Sequence, residues 1–66
     1  MKIRNVLTVN IDNVELTDQG KKVYRAILKH KPRTAAELCQ QLDMSEQTIY
    51  LMLMHLYRHD LIKLVP

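Results

Sequence analysis

The feature that most constrains this chain is a pair of helix starts set close together. Thr34-Ala35-Ala36-Glu37 forms a capping box, in which the threonine hydroxyl and the glutamate carboxylate each satisfy an orphan amide at the head of a helix. Ser45 is a second N-cap, and Glu46 behind it suits the positive end of the helix dipole. The first helix has room for about two turns, ending near Asp43. Asp43-Met44-Ser45 is then a tight connection, with Asp43 placed to adopt the left-handed conformation and Met44 to tuck between the helices. The second helix runs to about His59. Ile49, Met52, Leu53 and Leu56 recur on it at three- and four-residue spacing as one inner stripe.

The internal spacing fits two short helices crossing at roughly 90–120°. A small residue, Cys39, sits midway along the first helix, where the second must approach closely. Asp43 supplies the turn, and the β-branched Ile49 anchors the second helix. Thr34 to Leu53 thus has the layout of a helix-turn-helix. An earlier helix is expected from Thr17 or Asp18, with Gly20, Val23, Tyr24, Ile27 and Leu28 on its apolar face and Pro32 stopping it. Ahead of it, Leu7, Val9 and Ile11 alternate with polar residues, which predicts a strand. Asn10 to Asn13 is read as a turn and Val14-Glu15-Leu16 as a short return strand. Leu61 to Val65 is read as a C-terminal strand.

Composition narrows the function classes. Sixty-six residues allow one domain, with little stability to spare for a strained active site. The expected organisation is a single domain over 1–66: an N-terminal strand or hairpin over 1–16, the helix-turn-helix over 34–59 and the strand over 61–65. A net charge of +3 permits an anionic partner. The single cysteine excludes an intrachain disulfide. Cys39 is expected to be buried and inert. His55 and His59 share a helix side, but Leu56 stands where a metalloprotease helix needs Glu, and no third ligand is evident. One glycine cannot build a phosphate loop, and no Ser-His-Asp arrangement is present. We therefore expect no enzyme, no cofactor and no metal. Without an unbroken apolar stretch, no membrane span is expected, and the location read from the sequence is cytoplasmic.

Leu16-Thr17-Asp18-Gln19-Gly20 resembles the "L-T-x-x-G" that opens the first helix of many bacterial and phage winged helix-turn-helix regulators. Residues 33–62 resemble their "T-x-x-E-L-A-x-x-L-x-(V/M)-S-x-x-T-(V/I)…L…L…L-I" core. The resemblance covers 16–62 and implies a small α+β winged helix-turn-helix domain. It also implies regulation of transcription by binding double-stranded DNA, with the third helix in the major groove. The positions it implicates in base contact are Ser45, Glu46, Gln47, Thr48, Tyr50 and Leu51. It puts a phosphate-binding corner at Lys31, Arg33 and Thr34.

Two departures qualify this. Such regulators commonly carry Arg, Lys or Ser where Leu51 and Met54 stand here. The second is that the strand after Leu61-Ile62 normally turns into a hairpin, so the wing is expected to be reduced or absent, with the N-terminal segment pairing with Leu61–Val65 instead. The outer face of the third helix, with Tyr50, Leu51, Met54, His55 and Arg58, thus has three readings: apolar contact with DNA, an interface with a protein or a second copy of the chain, or a scattered set without a role. The basic set Lys21, Lys22, Arg25 and Lys29 is either a phosphate track or a solvated face. The leading expectation is a homodimeric DNA-binding regulator of phage, plasmid or bacterial type. The alternative is an adaptor or inhibitor that binds protein through that same face.

Overall fold

A computed structural model describes residues 2–66. The order of elements is strand β1 (Lys2–Arg4), a 3-10 turn (Ile11–Asn13), helices α1 (Asp18–His30), α2 (Ala35–Leu42) and α3 (Glu46–Arg58), and strand β2 (Lys63–Val65). The three helices enclose the core, and the two strands pair at one edge of it. This is a small α+β winged helix-turn-helix fold.

Each helix starts where its cap predicts. Thr17, Thr34 and Ser45 are the N-caps, and their side chains accept from the amides of Gly20, Glu37 and Thr48. The capping box at Thr34 is displaced by one residue on its return side. The Glu37 carboxylate accepts from the Arg33 amide at 2.8 Å, instead of from that of Thr34. Asp43 is left-handed, at φ 51° and ψ 43°, as the connection requires. Lys31 ends α1 in the same region, at φ 51° and ψ 50°, with its amide bonded to the Ile27 carbonyl. Glycine usually fills that position, because it has no Cβ to crowd the following carbonyl.

The stripe of α3 is buried throughout: Ile49, Met52, Leu53 and Leu56. It meets Val23, Tyr24 and Ile27 of α1 and Leu38 of α2, all fully enclosed. Each such aliphatic side chain contributes about 1.5–3 kcal/mol by leaving water. Gly20 lies where α1 approaches α3. A Cβ there would stand 3.3 Å from the Thr17 hydroxyl and 3.7 Å from the Met52 sulfur. Cys39 is half-buried and packs against the edge of the core, so it is less enclosed than its spacing suggested. Met44 is also half-buried between the helices.

The N-terminal segment departs from expectation. The strand is Lys2–Arg4, not Leu7–Ile11, and 14–16 is not a return strand. Of the alternating residues only Ile11 is buried; Leu7 and Val9 are exposed. Their backbone is held by groups distant in sequence. The Tyr24 hydroxyl donates to the Leu7 carbonyl and accepts from the Val9 amide at 3.0 Å, and the Leu7 amide donates to the Leu61 carbonyl at 2.8 Å. The Asn10 side chain accepts from the Asp12 amide, so the expected turn closes as a 3-10 turn. Met1, part of the expected strand, lies outside the described residues.

The expected pairing of the two chain ends is present, on different residues. β1 runs antiparallel to β2, with Lys2 opposite Val65, Ile3 opposite Leu64 and Arg4 opposite Lys63. Leu61 and Ile62 are buried in the core ahead of β2 and are not part of it. Lys2 also bridges Thr34, and the Ile3 amide donates to the Arg33 carbonyl at 2.8 Å. β1 therefore lies between the start of α2 and β2. Among the described residues, no helix is long and apolar enough to cross a membrane.

Candidate nucleic-acid interface

The outward side of α3 follows from burial of its opposite side. At about 100° per residue, a stripe at 49, 52, 53 and 56 leaves 47, 51, 54 and 58 turned away from the core. Gln47, Leu51, Met54 and Arg58 are all exposed. Glu46 and Tyr50 are exposed too, and His55 is half-buried on the flank. Leu51 retains 54% of its surface and Met54 40%. Tyr57 is exposed to 46% further along the helix, which lengthens the apolar part of this face beyond the residues the sequence singled out.

The first turn of α3 is committed to its own cap. The Ser45 hydroxyl accepts from the Thr48 amide at 3.2 Å and donates to the Thr48 hydroxyl at 2.7 Å. Ser45 and Thr48 thus have less freedom to meet a base than Glu46 or Gln47. Tyr50 lies one turn after Glu46. The carboxylate charge raises the phenol's pKa above its ordinary value, so Tyr50 stays a neutral hydrogen-bond donor.

At the start of α2, Arg33 is exposed and Thr34 half-buried. Thr34 spends its hydroxyl on the Glu37 amide. Glu37 occupies the Arg33 amide, so the helix start offers less to an anion than its sequence implies. Lys31 is exposed at the end of α1, followed by a buried Pro32. The Lys22, Arg25 and Lys29 side chains are exposed and Lys21 is partly so.

The register also brings out cations that the sequence reading did not place. Lys2 and Arg4 alternate with the buried Ile3, so both point to the outer face of β1. Lys63 stands directly across from Arg4 on that face, and Lys2 across from Thr34. The signal was the charged-apolar-charged alternation of Lys2-Ile3-Arg4, one cation on either side of a single buried isoleucine.

The structure is thus a helix-turn-helix with a cationic corner and an exposed third helix. A family model described as "Sugar-specific transcriptional regulator TrmB" matches residues 11–66. The chain belongs to this family. No curated protein and no solved structure matched it. TrmB membership upholds the resemblance to winged helix-turn-helix regulators and places the chain among DNA-binding regulators of transcription, a class that is not enzymatic. The TrmB match begins at Ile11, so β1 and its cations precede it. Among the described residues, no group of three or more His, Cys, Asp or Glu is placed to hold a metal ion.

Proposed function

We propose that residues 1–66 act as one winged helix-turn-helix domain that docks α3 in the major groove of duplex DNA. The observation that carries this reading is the exposure of one side of α3 while the other is sunk in the core, within a chain of a DNA-binding regulator family. Glu46, Gln47, Tyr50 and Leu51 face base edges, with Ser45 and Thr48 fixing the helix start. Gln47 is suited to the paired donor and acceptor of adenine, and Leu51 to a thymine methyl. Lys31, Arg33 and Thr34 meet the backbone. So few phosphate contacts make a monomer weak, which favours a homodimer on two half-sites. The reading places the protein in the cytoplasm of a bacterium or in a phage or plasmid system. The word "sugar-specific" in the family description suggests an operator near sugar-utilisation genes.

The experiment is selection of bound duplexes from a random library, repeated with variants. Gln47→Ala should relax base preference at one position, by about 1–3 kcal/mol of discrimination. Arg33→Ala should weaken all duplexes alike. A library that emerges unenriched would contradict the reading.

One observation favours a second reading. Tyr50, Leu51, Met54 and Tyr57 make a continuous exposed apolar strip along α3, flanked by His55 and Arg58. Such a strip on one helix face suits a protein surface, including a second copy of this chain. Under that reading Leu51→Asp or Met54→Asp abolishes self-association in sedimentation while the melting temperature stays nearly unchanged. Association that survives both substitutions removes it.

A further inference from the structure

The cations of β1 and of the α1–α2 connection do not lie on separate surfaces. Arg4, Lys31 and Arg33 line one open cleft of about 460 Å³, floored by Ile27, Leu28 and Pro32. Among the described residues, no acidic one lines it. Glu37, the carboxylate close to Arg33, is turned to the Arg33 backbone amide. The hydrogen bond from the Ile3 amide to the Arg33 carbonyl fixes β1 against the connection and so sets Arg4 beside it. Lys63 is directly opposite Arg4 in the sheet, a like-charge pair that places a further cation next to the cleft without lining it.

Lys31 supplies a further observation. It holds a left-handed backbone that glycine would adopt without crowding. Asn5, Asp43 and Asp60 share that region, and Lys31 adopts it as the C-cap of α1, so glycine there should raise stability while removing a cation from the cleft lining.

We propose that this cleft is a phosphate-ester site, in which Arg4, Lys31 and Arg33 hold the phosphate and the apolar floor takes the carbon body attached to it. Arginine pairs with phosphate oxygens in a two-pronged fashion and lysine acts as a point charge. The chemistry is shared by the DNA backbone and by a phosphorylated small molecule. Arg4 lies ahead of the family-matched residues, whereas Lys31 and Arg33 lie within them. The site does not depend on α3 entering DNA.

The test is a titration of the labelled chain, followed by backbone NMR, with inorganic phosphate in one arm and a random-sequence duplex in the other. Phosphate should shift the Arg4, Lys31 and Arg33 amides saturably. Arg4→Ala should weaken that response by about tenfold. Lys31→Gly should weaken it as well while raising the urea midpoint of unfolding, a combination that a purely structural role cannot produce. Duplex shifts at both the cleft and Gln47 support the site and name the DNA backbone as its source. Phosphate shifts at the cleft with no duplex response anywhere support the site and contradict the DNA reading. Duplex shifts confined to α3, with the cleft silent in both arms, overturn the site and leave the DNA reading standing. An unchanged phosphate response in both variants also overturns it.

Discussion

The helix-turn-helix and the N-terminal segment are specified in different ways. From Thr34 to Arg58, each structural decision is made by residues a few positions apart: a hydroxyl three residues before the amide it caps, an aspartate at the turn, a stripe at helical period. From Lys2 to Val9, nearly every decision is made from a distance. Tyr24 holds Leu7 and Val9, Leu61 holds Leu7, Arg33 holds Ile3 and β2 holds β1. The first region carries its instructions locally; the second is shaped by the surface it is laid upon. That contrast matters for function, because the family match covers the local region and omits β1.

The widest separation between the two regions should appear in stability. Leu53 is fully buried, and Leu53→Ala should cost about 2–5 kcal/mol, enough to unfold much of the population in a urea titration. Leu7 is half-exposed, and Leu7→Ala should change stability by less than about 0.5 kcal/mol. Equal losses at the two sites would erase the distinction.

A narrower effect is expected from Tyr24→Phe. It keeps the ring in the core and removes the hydroxyl that serves Leu7 and Val9. We expect a loss of about 1.5 kcal/mol. Hydrogen exchange should quicken at Val9 while the amides of α2 and α3 keep their protection. Uniform quickening over the whole chain would mean that the two regions unfold as one.

These variants also explain what the sequence disclosed. The caps at Thr17, Thr34 and Ser45, the left-handed Asp43 and the buried face of α3 were legible because propensity and periodicity act over one or two turns. The strand predicted at Leu7–Ile11 was not realised, since alternation describes a strand only when a neighbouring strand exists to pair with it. That neighbour, β2, pairs with Lys2–Arg4. One buried residue, Ile3, is too short a pattern to announce a strand by itself. The exposed candidates on α3 followed directly from the helical period. The cleft did not, because Arg4 and Lys31 are brought together only by the sheet register and the α1–α2 connection.

Smaller effects refine the picture within the helix-turn-helix. Thr34→Ala should cost about 1 kcal/mol through loss of the cap on α2, read as a shift in the urea midpoint. Glu37→Ala should have a comparable but distinct outcome, freeing the Arg33 amide and quickening its exchange. The smallest change is electrostatic. Glu46 disfavours the phenolate of Tyr50, so Glu46→Gln should lower the Tyr50 pKa toward its ordinary value of 10.0 in an ultraviolet titration. A pKa that rises or stays put in this variant would show that the carboxylate is not the cause.

The central claim is that this fold presents α3 and its cationic corner to DNA. The most direct measurement is the affinity for a fluorescent random duplex across a series of salt concentrations, for the wild-type chain and Arg33→Ala. Log affinity should fall linearly with log salt, with a slope shallower by about one in the variant. Affinity that is absent, or indifferent to salt in both proteins, would contradict it.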